Sequence, residues 1–379
     1  MFKSTLCFIY ALLTTCSISL SQAAALPDVP LPLKNGTGAI NGSIIYVGLG
    51  SAGKNWFRID VAHTSPAWEK IAEFPAQPRE QAVSVMLNGK LYVFGGVGKT
   101  TESEANPQAL TEVYRYDPSK NRWEKVPTRA PQGLVGTAIA SLDGQRAWIM
   151  GGVNKQVFDG YFQDLSTAQT PQQKDAVAQA YFNQAPESYF FNREIMIYNP
   201  TNNQWRSGGQ LPQFGRAGSA IAARQNRVIL INGEVKPGLR ITEALKGTWQ
   251  QDQMHWKRLP DLIPASDKKQ QEGLAGSFAG ISRQAILVAG GANFPGARDQ
   301  FNAGQLYAHQ GLKKNWHDEI YGLVNGEWKI VGKLPQPLGY GVSIQDGDNI
   351  WLIGGETENG AAVASIRQLS WDGNRLRQY

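Results

Sequence analysis

A short apolar run that ends in a glycine doublet recurs along this 379-residue chain. It reads Lys90-Leu91-Tyr92-Val93-Phe94-Gly95-Gly96, then Ala147-Trp148-Ile149-Met150-Gly151-Gly152. It returns as Ala285-Ile286-Leu287-Val288-Ala289-Gly290-Gly291 and Ile350-Trp351-Leu352-Ile353-Gly354-Gly355. Looser copies end in Gly48-Leu49-Gly50 and in Asn232-Gly233. Each run has the length of a strand, not of a helix. Six evenly built strand units constrain the fold strongly. A small sheet has two apolar faces and buries them only by packing against further copies of itself.

Two more features share the same phase. An aromatic residue precedes a Trp by seven positions in Tyr116 and Trp123, Tyr198 and Trp205, Trp249 and Trp256, and Tyr321 and Trp328. Turn-rich stretches such as Asp117-Pro118-Ser119-Lys120-Asn121 lie between them, so each pair reads as a hairpin. Trp68 is the looser counterpart in the first repeat. After each Trp comes a Pro-containing loop and then a Gly-rich strand, as in Leu334-Pro335 leading to Gly341-Val342-Ser343. One repeat is therefore four strands, the second ending in the doublet. This resembles the kelch repeat, which implies an all-β, six-bladed kelch-type β-propeller with one four-stranded sheet per blade. The stretch Leu26-Pro27-Asp28-Val29-Pro30-Leu31-Pro32 looks like a post-Trp segment. The two ends of the chain are expected to share the last blade and so remove two open sheet edges.

Residues 1–23 read as an export leader. Lys3 precedes the apolar run from Leu6 to Leu13, and small residues follow up to Ala23-Ala24-Ala25, with cleavage expected between 23 and 25. Residues 24–379 then form a single propeller domain. Both cysteines, Cys7 and Cys16, fall in the leader, so disulfide and thiolate chemistry are excluded from the mature chain. No later apolar run reaches the roughly 18 residues of a membrane span. The expected setting is the periplasm, with no membrane contact after cleavage. The net charge of +6 comes without a Lys/Arg run, which argues against a nucleic-acid partner and suits an anionic small molecule. No nucleophile elbow, phosphate loop or dinucleotide fingerprint is present. Of the four histidines only His309 and His317 are near each other, and their spacing is poor for a metal.

The doublets are unevenly spaced. The surplus residues lie between Asn154 and Asn192, within the third blade, and between Asn293 and Asn315. In the first, Thr170 to Phe182 reads as a short helix with Pro near its start. Both insertions follow a doublet, so they leave the same end of the propeller, where long ordered loops shape a binding site. After the fourth doublet comes Glu234-Val235-Lys236-Pro237-Gly238-Leu239-Arg240. A carboxylate directly after a doublet is expected at the mouth of the ring, with Lys236 and Arg240 in reach. Glu234 then reads as a general base and Arg240 as a fork for a substrate carboxylate. The same residues also read as a plain loop ion pair. Arg298 and His309 in the second insertion are candidates to bind a polar ligand, as is Arg79, a cation at a repeated position. A cationic surface loop is the other reading of the second insertion.

The loops carry a more specific resemblance. Gly48-Leu49-Gly50-Ser51-Ala52-Gly53, Asp159-Gly160-Tyr161-Phe162, Asn232 to Arg240, Gly276-Ser277-Phe278-Ala279-Gly280 and Tyr307-Ala308-His309-Gln310-Gly311 together resemble the bacterial periplasmic N-acetylneuraminate epimerases, or sialic acid mutarotases. The resemblance spans the whole mature chain. It implies an isomerase that interconverts the α- and β-anomers of N-acetylneuraminate, without metal or organic cofactor, as a homodimer. It carries the proton acceptor onto Glu234 and its partner onto Arg240. A non-catalytic sialic-acid or glycan-binding propeller is the alternative.

Overall fold

The computed structural model describes residues 26–265 and 268–379, so the expected leader lies outside the described residues. Six four-stranded antiparallel sheets dominate, each running in chain order from first to fourth strand. The first holds Thr37–Asn41, Ile44–Gly48, Trp56–Asp60 and Glu69–Lys70. The others open at Val83–Leu87, Thr137–Ala140, Ala220–Arg224, Phe278–Ser282 and Val342–Asp346. Each of these first strands packs beside the next, and the sixth packs beside the first, closing a cycle. They surround an axial channel of about 300 Å³, lined by Ala39, Val85, Ala140, Ala222, Ala279 and Ile344 together with their neighbours. This is a six-bladed propeller.

The second strands are apolar on both faces because a blade lies against each. Trp148, Ile149 and Met150 are successive residues and all are buried. The doublet that ends such a strand turns left-handed at both positions, with φ of 57° at Gly95 and 95° at Gly96. A Cβ on Gly95 would stand 2.4 Å from that of Leu134, so the turn needs glycine for space as well as for φ.

The Trp side chains join neighbouring blades. The indole N–H of Trp123 donates to the Ala72 carbonyl, that of Trp256 to Gln210 and that of Trp328 to Pro260, each in the post-Trp segment of the preceding blade. The spacing of seven is constant but the register is not. Tyr116 faces Trp123 and Tyr198 faces Trp205 across four-residue turns. In the fourth blade the turn is the two residues Gln251-Asp252, so Trp249 faces Met254 and Trp256 faces Gly247.

Ring closure departs from the expectation in one respect. All four strands of the sixth sheet come from the C-terminal end, the last being Leu376–Gln378, so no N-terminal strand joins that sheet. The N-terminal segment instead takes the post-Trp place. Pro27 accepts from the Trp68 indole, and the Val29 and Leu33 N–H groups donate to Ala364 and Val363. The joint between last and first blades is thereby covered by side-chain and loop contacts rather than by a shared ladder.

The third-blade insertion is a pair of helices, α1 (Lys155–Thr167) and α2 (Pro171–Phe182). Thr170 caps α2 with Pro171 in its first turn, and Gln173 completes a capping box. The sequence reading found α2 but not α1, although Val157, Phe158, Tyr161, Phe162 and Leu165 repeat at helical spacing and Asn154 supplies the cap. The fifth-blade insertion holds α3 (Ala297–Asn302).

Candidate active site

Just before each first strand lies a residue with left-handed backbone: Asn35, Gln81, Gly136, Gly218, Gly276 and Tyr340, with φ between 52° and 67°. These residues are tied to one another around the axis. The N–H of Gly218 donates to the carbonyl of Gly136, Gly276 to Gly218, Tyr340 to Gly276, Asn35 to Tyr340 and Gln81 to Asn35, at 2.7–3.0 Å. This girdle rims the end of the channel from which the insertions rise. The residue following each doublet sits beside it: Glu234 bridges to Ala217, Ala292 to Ala275, and Glu356 to Gly339.

Glu234 opens a small hairpin, Glu234–Lys236 paired with Leu239–Arg240. The pairing sets Glu234 opposite Arg240, whose Nη2 is 3.4 Å from Oε2 of the carboxylate. The Gly238 N–H donates to the same oxygen at 3.3 Å. Gly238 has φ of 83°, and His309 occupies the space a Cβ would need, its Nδ1 only 1.8 Å from that position. Any other residue here would push the hairpin off the histidine.

The charged groups of this cluster differ in access. The Glu234 side chain is 24% exposed and that of Arg240 only 6%. Arg240 lies over the Phe294 ring at 4.8 Å, and its Nε and Nη1 are buried without an acceptor among the described residues. Lys236 is fully buried and donates to the carbonyls of Phe182, Gln184 and Leu306. It therefore ties the hairpin to the end of α2 and to the fifth-blade insertion. Burial draws its pKa down to about 8, which still leaves an ammonium at neutral pH. Arg298 donates through Nη2 to the Arg240 carbonyl, fixing that residue from outside the hairpin. His309 packs among Phe182, Phe294 and Tyr307. Burial, then the charges of Arg240 and Lys236, lower its pKa to about 4, so it is a neutral ring and not a cation. Tyr181 near the end of α2 is held in its neutral, proton-bearing form by burial and by the charge of Glu234.

Five of the six residues singled out from sequence thus converge: Glu234, Lys236, Arg240, Arg298 and His309. Arg79 does not join them. Its side chain has no exposure, pairs with Glu112 at 3.0 Å, donates to the Gly95 carbonyl and lies over the rings of Phe74 and Tyr114. Arg216 makes the equivalent buried pair with Glu243 two blades on. The repeated position of Arg79 is that of a blade strut, which removes it from the ligand-binding set. Lys236, with its three donors on carbonyls, is likewise a brace. The sequence reading missed Glu356, although it follows Gly354-Gly355 as Glu234 follows Asn232-Gly233. Two larger cavities lie next to this cluster without taking in Glu234 itself. One of about 810 Å³ lies between α1 and α2 and includes Tyr161 and Tyr181. The other, of about 670 Å³, is flanked by Phe190 and Phe214.

Comparison with known proteins gives the family of the chain. Residues 26–377 match the family model for N-acetylneuraminate epimerase. An N-acetylneuraminate epimerase of Yersinia pestis (strain Pestoides F) is 57% identical over 367 residues, covering 97% of this chain and 94% of the relative. One from Salmonella typhi is 47% identical, covering 99% and 98% of the two chains. The solved structure of YjhT superposes with a TM-score of 0.88 at 38% identity, covering 93% of this chain and 99% of that one. The chain belongs to the N-acetylneuraminate epimerase family.

Proposed function

We propose that this propeller interconverts the α- and β-anomers of N-acetylneuraminate, with Glu234 as the proton acceptor. The observation that carries the reading is the setting of Glu234. It is a partly exposed carboxylate at the channel mouth, fixed on one oxygen by Arg240 and the Gly238 N–H. Its side chain is the one in the hairpin that has both a charge and access to solvent.

Mutarotation of a 2-keto sugar acid breaks and remakes a hemiketal. The anomeric hydroxyl gives its proton to Glu234, the bond from the anomeric carbon to the ring oxygen opens, and the ring oxygen takes up a proton. Closure on the other face of the resulting ketone reverses these transfers. No group is oxidised or reduced and no cofactor enters the balance. Arg240 acts on Glu234 rather than on the substrate, since its remaining N–H groups are closed off from solvent. Proton NMR of freshly released α-anomer tests the reading: trace protein speeds equilibration, whereas a mere binder perturbs signals only near stoichiometry.

The leader-like residues 1–23 and the family resemblance support a periplasmic homodimer. Among the described residues no helix is long and apolar enough to cross a membrane. The intact mass of the exported protein should correspond to a start between Ala24 and Leu26, and sedimentation should give twice the chain mass. Retention of Met1, or a monomer, would contradict the respective reading.

A further inference from the structure

The sixth blade repeats the arrangement of the fourth with different cations. Glu356 and Glu234 are the carboxylates that directly follow a doublet, and each bridges to the residue before or beside the girdle. Glu356 has two partners. The Lys34 ammonium lies 2.9 Å from Oε2 and also donates to the Gly360 carbonyl, while the Lys314 ammonium lies 3.2 Å from Oε1. Two lysines on one carboxylate leave a net positive charge. Lys314 also stands 4.0 Å from the centre of the Tyr340 ring and 4.4 Å from that of Trp316. These rings hold the ammonium in place without neutralising it. Among the described residues, Glu356 is the only hydrogen-bond acceptor that Lys314 meets.

The position of this cluster relative to Glu234 follows from the girdle. Gly218 and Tyr340 both bond to Gly276, which places them about 8 Å apart across a six-fold rim with one strand spacing per blade. Glu234 belongs to the first of these blades and Glu356 to the second. Between them Gly276 has no side chain of its own and the Tyr340 ring lies over it, while Ala292 pairs with Trp316, so aromatic rings floor the gap. A pyranose ring with its substituents matches that span. Access also differs between the two cationic groups: the Lys314 side chain is 27% exposed, whereas Arg240 is 6% exposed.

Resting on the reading of Glu234 as the base for a sugar acid, we infer that Lys314, held between Tyr340, Trp316 and Glu356, receives the substrate's carboxylate. Arg240, which the sequence suggests as the carboxylate fork, then positions the base. The ammonium meets the anion as a point charge, and the rings and Glu356 fix where that charge stands. The sugar would lie across the channel mouth with its acid group on Lys314, where the fifth-blade insertion meets Glu356 of the sixth blade, and its anomeric hydroxyl on the fourth.

The test compares two ligands that cannot open, the methyl α-glycoside of N-acetylneuraminate and the methyl ester of that glycoside. Isothermal titration with wild type and with Lys314→Gln gives four dissociation constants. Wild type should bind the acid at least tenfold more tightly than the ester. Lys314→Gln should bring the two together by weakening the acid alone, and Lys314→Arg should restore part of the preference. An acid-to-ester ratio unchanged by Lys314→Gln, or equal weakening of both ligands, would overturn the assignment. A parallel NMR equilibration assay on wild type separates the two claims. Wild-type catalysis with an unchanged ratio removes Lys314 alone, whereas no catalysis at trace protein removes the reading on which it rests.

Discussion

The chemistry depends on how differently the fold treats side chains of the same charge. Glu234 keeps one face toward solvent, while Arg240, Lys236 and Arg79 are enclosed. An enclosed cation has no room for a ligand, so the cationic loop read from sequence resolves into braces around one accessible carboxylate. His309 belongs to the braces. A histidine whose folded pKa lies near 4, against about 6.5 in the unfolded chain, is carried neutral by the native state. Its contribution is therefore complete above about pH 6.5 and is lost as pH falls toward 4, at a cost of about 2–3 kcal/mol. Denaturant titrations between pH 7 and pH 4 should show this loss in wild type and a flatter profile in His309→Gln. Equal slopes in the two proteins would place the acid sensitivity elsewhere.

Three elements meet at the site: the hairpin after the fourth doublet, the end of α2 and the fifth-blade insertion. Lys236 binds them with three charge-assisted hydrogen bonds to carbonyls. Replacing it with Met keeps most of the volume but leaves those carbonyls without their donor. Stability should fall by about 2–4 kcal/mol. Amide exchange should quicken around Phe182, Gln184 and Leu306 before the sheets open. Unaltered exchange in those segments would show that the elements hold together without the ammonium. The hairpin's charges were legible in the sequence because they fall within seven residues of a doublet. Its partners were not, since Phe182, Phe294 and Leu306 reach it only through folding. The two-helix form of the first insertion was half legible: Thr170 and Pro171 mark α2, whereas the aromatics of α1 fall in a segment read only as surplus loop.

For the whole molecule, repetition made the fold readable and also hid part of the site. Glycine doublets and Trp positions recur, so six blades follow from counting, and the N-terminal segment resembles the post-Trp segment whose place it fills. A residue that repeats for structural reasons, such as Arg79, looks the same in sequence as one that serves a ligand. Only its pairing with Glu112, mirrored by Arg216 and Glu243, separates the two. The same repetition held the clue to Glu356, which becomes visible once the residues after the doublets are compared across blades. The propeller's contribution to function is a rigid rim. The backbone girdle fixes the spacing of the blades, and the insertions stand on it. The central claim is that Glu234 takes the proton from the anomeric hydroxyl. The most direct measurement is the rate of α-to-β conversion of freshly released N-acetylneuraminate, followed by proton NMR with trace wild type or Glu234→Gln and corrected for the spontaneous reaction. The amide keeps the shape and removes the base, so the catalysed rate should fall by about two orders of magnitude or more while the ligand still binds. A Glu234→Gln protein that equilibrates the anomers as fast as wild type would contradict the account.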